Sequence, residues 1–177
     1  AYAERNADRW KSNTVTLKIT ILCVGTLKEA YWREATTEYA KRLRRFASVD
    51  VVEVQEKRLP ANASTSDERF VIEEESRMLA AKIFRSARTL VVALDVSGTS
   101  MSSPALASWM SEQTASGKTE LIFIIGGSLG LSDELLGQAD IRLSFSLMTF
   151  PHQMMRVILL EQIYRAMKIN RNEPYHK

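Results

Sequence analysis

One glycine-rich segment directly follows a buried-looking apolar run and has the composition of a ligand-binding turn. Gly126, Gly127 and Gly130 come after the run 120–125 (ELIFII). Glycine lets a backbone approach a ligand closely, and it also adopts the positive φ angles of tight turns. The spacing G-G-x-x-G differs from the G-x-G-x-x-G dinucleotide fingerprint, and the sequence has no G-x-x-x-x-G-K-[ST] phosphate loop. The segment argues against the usual NAD and ATP sites and leaves either another ligand or an ordinary turn.

The two histidines, His152 and His176, are the second candidates for chemistry. Histidine titrates near neutral pH and therefore serves as a general acid or base. His152 stands four residues before Arg156, which puts both on one face of a predicted helix. His176 lies in the polar segment 173–177 (EPYHK), which is rich in hydrogen-bond donors. The alternatives are a structural histidine in the helix and a disordered end of the chain.

An acidic and a basic residue on the same predicted helix form a third candidate. Glu161 and Arg165 are four residues apart in the favourable order for a helical ion pair. The simplest interpretation is structural. If the helix is buried, however, the pair must be satisfied by other protein groups or by substrate.

Cysteine content and charge limit the class of protein. Cys23 is the only cysteine, which excludes an intramolecular disulfide framework and a cysteine-based zinc site. No apolar run approaches the roughly 18 residues of a membrane span. The net charge is only +3, but it is unevenly distributed: segment 41–45 (KRLRR) and the C-terminal stretch are basic, and segment 67–75 is acidic. This distribution fits a polyanionic partner as well as it fits ordinary solvated helix faces.

Alternating elements must position these residues. Five runs are predicted as strands, at 17–24, 49–54, 89–95, 120–125 and 141–147. The helices between and after them are predicted at 27–46, 67–87 with Ser66 as cap, 103–117 with Ser103 as cap before Pro104, after Ser132, and 151–169. This order predicts an α/β fold with a mainly parallel sheet covered on both faces. Residues 1–16 are polar and lack a secretory signal's apolar core, so we expect a leader outside a single domain at 17–177.

The last predicted helix is apolar nearly all round, which is typical of a buried helix. Polar side chains interrupt the apolar ones on every side, so no clean solvent face exists. We therefore expect it to pack on its own sheet and on a second copy of the chain, in a twofold homodimer.

Five segments together resemble a known family. They contain Leu94-Asp95 with Gly98, the turn 125–132 (IGGSLGLS), the run 143–156 (LSFSLMTFPHQMMR), the helix 161–166 (EQIYRA) and the ending 174–177 (PYHK). The combination resembles the bacterial large-subunit (23S) ribosomal RNA methyltransferases that modify N3 of a pseudouridine, in the SPOUT superfamily. The resemblance runs from about Leu17 to Lys177. It departs at Val96-Ser97, where many relatives carry a charged Glu-Arg pair.

The resemblance implies a fold and a set of site residues. The fold is a SPOUT-type α/β knot, in which the C-terminal segment is threaded into a trefoil knot, and the protein is a homodimer that binds S-adenosyl-L-methionine in the knot. The implied cofactor-binding residues are Leu94, Gly126, Gly127, Gly130, Ser146, Leu147, Met148, Thr149, Phe150 and Pro151. The implied RNA-facing and catalytic residues are His152, Arg156, Arg165, Tyr175, His176 and Lys177, with the tail completing the partner subunit's site. No metal and no membrane are implied, and the location is cytoplasmic.

The implied reaction needs alignment of donor and acceptor and removal of an imide proton. Either His152 or His176 is a candidate base, and Arg156 or Arg165 is a candidate to stabilise the resulting anion or to hold a phosphate. The modest net charge predicts a substrate presented by the assembled large subunit or ribosome. Two alternatives stay open: a SPOUT enzyme acting on another RNA such as tRNA, and a non-catalytic RNA- or protein-binding dimer.

Overall fold

A computed structural model describes residues 16–176, and within it five parallel strands form one sheet in the order β2-β1-β4-β3-β5. The strands are β1 (Leu17–Val24), β2 (Ala47–Val54), β3 (Thr89–Ser100), β4 (Glu120–Ile125) and β5 (Ile141–Ser144). The predicted parallel α/β sheet is confirmed. The leader expectation for residues 1–15 and the role expected of Lys177 lie outside the described residues.

Five helices cover the sheet: α1 (Ala30–Leu43), α2 (Thr65–Ala80), α3 (Ser103–Ala115), α4 (Asp133–Gln138) and α5 (His152–Asn170). Helices α1, α3 and α5 pack on one face, where Ile19, Ile21 and Cys23 of β1 enter a large apolar core. Helices α2 and α4 cover the other face over a smaller core that includes Leu22 and Val24. Consecutive β1 residues thus alternate between the two cores, as a strand buried on both faces requires.

Three helix starts differ from the prediction. Helix α1 begins at Ala30 and ends at Leu43, inside the predicted range 27–46. Helix α2 is capped by Ser64, not Ser66: the Ser64 hydroxyl accepts the Asp67 N–H and the Asp67 carboxylate accepts the Ser64 N–H in a complete capping box. Helix α3 is capped by Ser102, whose hydroxyl accepts the N–H of Ala105, and not by Ser103. In both cases the serine directly before the helix satisfies a free N–H group of the first turn. Helix α2 also ends at Ala80, before the predicted residue 87.

The predicted strands at 89–95 and 141–147 also have different ends. Strand β3 continues to Ser100, but its register with β5 is interrupted because Leu94 and Thr99 both pair with Leu143. Residues 95–98 therefore form a bulge. Strand β5 ends at Ser144, since the Ser144 hydroxyl donates to the Ser146 carbonyl and the Ser146 hydroxyl accepts the Met148 N–H. These local bonds replace the sheet ladder.

Candidate functional site

A cavity of about 780 Å³ opens at the carboxyl ends of β3, β4 and β5. Its walls come from the ends of these strands, from the turn 126–131 and from the segment 145–155 that leads into α5. Ligands of parallel α/β sheets bind at this edge, and the volume is within the usual range for small-molecule sites. The loops that follow three separate strands therefore enclose one ligand-sized space.

Two glycines at this edge have no room for a side chain. A Cβ on Gly126 would lie 2.6 Å from the Gly130 carbonyl oxygen, and one on Gly127 would lie 2.5 Å from a carboxylate oxygen of the buried Glu75. Gly130 has a φ of +84°, and a Cβ there would meet nothing within 4 Å. The turn is thus closed tightly on itself, with open space beside Gly130.

The β3 bulge forms another part of the cavity wall. Asp95 pairs with Arg142 of β5, and the Ser144 hydroxyl donates to the Val96 carbonyl at 3.0 Å. A Cβ on Gly98 would lie 2.7 Å from the backbone of Arg142, so this position also requires glycine. The bulge is held from β5 on both sides, while Val96 itself is 45% exposed and lines the cavity.

The residues expected to bind a cofactor are gathered at this cavity, with one exception. The residues that line it are Leu94, Gly126, Gly127, Gly130, Ser146, Met148, Thr149, Phe150 and Pro151. Leu147 is the exception: its side chain is 87% exposed and does not line the cavity. The reason is the hydrogen-bonded turn after Ser144, which directs this leucine outward.

Among the expected catalytic residues that the structure describes, only His152 lines the cavity. It is the first residue of α5. Its Nε2 lies 3.6 Å from the position that a Cβ on Gly25 would occupy, and Glu56 Oε2 lies 3.5 Å from the same position. Burial lowers the pKa of His152, and the positive charges of Arg156 and Lys28 act in the same direction, against the opposing effect of Glu56. A half-buried imidazole of lowered pKa is neutral at pH 7 and able to accept a proton.

Arg156 does not reach the surface, which corrects the expectation that it faces RNA. Its side chain is fully buried, and Nη1 lies 2.5 Å from the Glu53 carboxylate. Nη2 donates to the carbonyls of Val24 and Gly25 at 2.7 and 2.6 Å. The guanidinium thus fastens the start of α5 to the ends of β1 and β2, directly below His152.

Four residues of α5 and the tail form a second group, the tail cluster: Glu161, Arg165, Tyr175 and His176. Glu161 Oε1 accepts from Arg165 Nε at 3.0 Å and from the Tyr175 hydroxyl at 3.2 Å. The Arg165 guanidinium stacks on the Tyr175 ring at 4.7 Å, and its Nη1 lies 3.4 Å from His176 Nδ1. Burial and acceptor neighbours raise the pKa of Tyr175 to about 12, so its hydroxyl stays a donor.

The tail cluster and the cavity lie at different places along one helix. Thirteen residues separate His152 from Arg165, which is about 20 Å at 1.5 Å per helical residue. The structure therefore brings Arg165, Tyr175 and His176 together with one another but not with the cavity of the same chain.

Several lining residues were not predicted, and one rule would have found them. Asp95, Val96, Phe145 and Ile125 line the cavity. Ile125 and Phe145 stand at or just after the end of a parallel strand, and Asp95 and Val96 stand in the bulge of β3, beyond the end of its pairing with β4. Side chains at such places meet at one edge of the sheet. Glu75 carries no comparable signal, because nothing in an acidic helix segment indicates which carboxylate is buried. Its pKa is raised, chiefly by that burial.

Residues 16–176 also bear on two other classes of site. No helix there is long and apolar enough to cross a membrane. In the same part of the chain, no three His, Cys, Asp or Glu side chains are grouped so that they could hold a metal ion.

Several known proteins are similar to this chain. Residues 17–176 match the family described as "Predicted SPOUT methyltransferase". The chain is 50% identical to the ribosomal RNA large subunit methyltransferase H of Carboxydothermus hydrogenoformans and 49% identical to that of Clostridium novyi. Each alignment covers 91% of this chain and the whole relative. A solved probable methylase family protein from Haemophilus influenzae is 13% identical over 90% of this chain and 70% of its own, with a TM-score of 0.49.

Proposed function

The chain belongs to the SPOUT methyltransferase family, and from this premise we propose that it transfers a methyl group from S-adenosyl-L-methionine to N3 of a pseudouridine in large-subunit ribosomal RNA. Relatives that are named ribosomal RNA large subunit methyltransferases match it over their full length. The family also implies the trefoil knot around the C-terminal segment. Action on ribosomal subunits implies a cytoplasmic location.

The observation that carries the proposal is the cavity with His152 at its edge. Residues from three strand ends and from segment 145–155 converge there, and one neutral imidazole stands among them. A methyl transfer to an imide nitrogen needs both a site for the donor and a group near the acceptor proton. The remaining walls are largely apolar or backbone, which suits a site that must exclude water.

The residues of the cavity fit S-adenosyl-L-methionine, which supplies an electrophilic methyl group when it is bound. Leu94, Val96 and Phe145 offer apolar surface for a planar base. The turn 126–130 offers backbone groups for polar parts of the ligand, with open space beside Gly130. The proposed role of these residues is to bind and orient the donor.

Proton removal is the second task of the site. N3 of a uracil-like ring is a poor nucleophile while it is protonated, because its lone pair becomes available only after the proton leaves. The new N–C bond forms as the S–C bond breaks, and the N3 proton goes to a base. Within one chain the geometry supports His152 as that base. His176 of a second chain is the other candidate, since the tail cluster lies too far from its own cavity.

A homodimer supports such a shared site, and the surface of α5 favours it. At about 100° per residue, the fully buried residues of α5 occupy one face of the helix. The opposite face carries Met154, Val157, Ile158, Glu161 and Arg165. The three apolar members are only half-buried and belong to neither core. A twofold partner that packs on this stripe would cover the apolar residues and lie against the tail cluster.

Transfer of labelled methyl from S-adenosyl-L-methionine to large subunits that lack the modification tests the proposed reaction. We expect incorporation into one pseudouridine, identified by mass mapping of the nucleotide. Incorporation only into tRNA would show the alternative substrate. Absence of both transfer and S-adenosyl-L-methionine binding by calorimetry would show a non-catalytic RNA-binding protein.

Mixed dimers test whether two chains share one site. His152→Ala and a variant truncated after Asn172 are each expected to be inactive. If the tail acts on the partner's cavity, mixing the two variants creates heterodimers that have one intact site. At equal mixing, half of the dimers are heterodimers and each has one of its two sites intact. About a quarter of the wild-type activity should therefore return. No recovery in mixtures shown to exchange subunits would contradict the shared site.

A further inference from the structure

The basic segment 41–45 is not used by the proposed reaction, and its surroundings form a compact positive surface. We call this surface the arginine–aromatic surface and define it by Lys41, Arg44, Arg45, Phe46, Lys168 and Arg171. Arg44 and Arg171 are the C-caps of α1 and α5, so the carboxyl ends of the two helices meet there. All of its cations except Lys168 are exposed.

One aromatic ring holds two of these arginines in place. The Arg45 guanidinium carbon lies 4.8 Å from the centre of the Phe46 ring, and that of Arg171 lies 4.6 Å from it. Phe46 is itself packed in the large core and only 8% exposed. Stacking on an anchored ring restricts both side chains before any ligand arrives.

The charge of the surface exceeds what its own carboxylate neutralises. Glu173 accepts from Arg45 Nη2 at 2.9 Å and from Lys168 Nζ at 2.5 Å. Among residues 16–176, Lys41, Arg44 and Arg171 form no ion pair. Five cations and one carboxylate leave a formal charge of +4, whereas the whole chain carries +3. The excess positive charge of the protein is therefore concentrated here.

Helix stability alone does not account for this group. Cations near a helix carboxyl end gain a fraction of a kcal/mol from the helix dipole or from bonds to the last carbonyls. Within the described residues, the side chains of Arg44, Arg45 and Arg171 donate to no helix carbonyl. Instead, Arg45 and Arg171 stack on Phe46, and Arg45 also pairs with Glu173.

We propose that the arginine–aromatic surface binds the phosphate backbone of ribosomal RNA, outside the site of methyl transfer. The inference rests on the proposed function, which supplies RNA as the partner. Guanidinium forks match phosphate oxygens in pairs, and contacts to phosphate do not depend on the base sequence. Within one chain, nineteen residues of α5 separate His152 from Arg171, about 28 Å, so the surface lies outside that chain's own cavity.

The double variant Arg44→Ala/Arg171→Ala tests the proposal, because both side chains are exposed and bear no ion pair in the described part of the chain. Lys82→Ala/Arg88→Ala is the matched control: it removes two exposed cations near the amino end of β3, on the opposite edge from the cavity. Steady-state methylation of large subunits is measured from 50 to 300 mM salt. S-adenosyl-L-methionine binding by calorimetry checks that each variant is folded.

We expect the surface variant to raise KM for the subunit about tenfold and to leave kcat and cofactor binding unchanged. The slope of log KM against log salt should fall by about 1.5, since two phosphate contacts are lost. A KM and slope equal to those of the control overturn the proposal. So does weaker binding to intact subunits with undiminished binding to deproteinised ribosomal RNA, which would identify an acidic protein as the partner.

The same experiment separates the proposal from its premise. If the wild type transfers no methyl to ribosomal RNA, the proposed function fails. Filter binding of deproteinised ribosomal RNA to the same variants still measures the surface directly. A tenfold loss of affinity for the surface variant alone then supports RNA binding without methylation, and no loss overturns it.

Discussion

Replacement of Arg156 by methionine should destabilise the fold rather than remove a contact to substrate. Methionine retains much of the apolar volume but cannot donate to the carbonyls of Val24 and Gly25, which Nη2 bonds at 2.7 and 2.6 Å. A buried carbonyl that loses its donor costs about 1–3 kcal/mol. The two losses are partly offset, since methionine also avoids the desolvation of a fully buried guanidinium.

We expect Arg156→Met to lower the free energy of unfolding by about 2–4 kcal/mol, out of the 5–15 kcal/mol typical of a domain. Equilibrium urea unfolding, followed by circular dichroism at one protein concentration, measures this difference. Arg156→Lys should lose less, because an ammonium can still donate to a carbonyl. Arg88→Met, at an exposed arginine, should change stability by less than about 0.5 kcal/mol.

Unchanged stability of the Arg156→Met variant would contradict the structural role of Arg156. If Arg156→Met unfolds at the same urea concentration as the wild type and yet loses methyl transfer, the arginine acts at the substrate. The structure would then have to open at the start of α5 during the reaction. Loss of stability and of activity in parallel supports the structural role.

Three further predictions concern the cavity and the fold. Because burial lowers the pKa of His152 below its usual 6.5, the unfolded chain binds more protons near pH 6 than the folded chain does. The free energy of unfolding should therefore fall as the pH drops below about 6.5. His152→Asn should weaken this dependence, as measured by urea unfolding at pH 5.5 and 7.5. Gly126→Ala should abolish S-adenosyl-L-methionine binding as measured by calorimetry, since its Cβ would lie 2.6 Å from a backbone oxygen. The control Gly137→Ala in α4, whose Cβ would have nothing within 4 Å, should retain binding and gain up to about 1 kcal/mol of stability. Ser64→Ala should cost about 1 kcal/mol of unfolding free energy, and Ser66→Ala clearly less, because only the Ser64 hydroxyl accepts the helix N–H.

The architecture was predictable because buried parallel strands are continuous apolar runs. The runs 17–24 and 120–125 were predicted with the bounds that the structure has, since each is flanked by polar residues or glycine. Their alternation with helices then led to the parallel sheet. Packing of each strand on both faces leaves little freedom in where such a run begins and ends.

Element ends depend on weaker and more local interactions, so several were predicted wrongly. The segment 62–66 (NASTS) offers more than one cap, and only the reciprocal bond with Asp67 selects Ser64. The alternating run after Ile141 looks like a longer strand, but two serine hydroxyl bonds turn the chain after Ser144. Such choices differ by about 1 kcal/mol and are not visible in a hydrophobic pattern.

The site was predictable where a motif follows a strand and not where it depends on distant partners. The cavity residues of 146–151 were identified by resemblance, and they lie together because strand ends meet at one edge. Arg156 was expected to face RNA because of the resemblance. Its buried position was not predicted, because its partners, Glu53 and the end of β1, lie more than 100 residues earlier in the chain. No spacing in the helix could indicate that its guanidinium is enclosed.

Because residues 95–98 form a bulge in β3, the side chains at this part of the cavity rim can change while the strand pairing of the sheet stays the same. Leu94 and Thr99 are both aligned with Leu143, so the four residues between them pair with no residue of β5. Exchange of Val96 and Ser97 for other residues therefore leaves every rung of the ladder in place. At this position, a substitution can alter what a ligand meets without any compensating change in the fold.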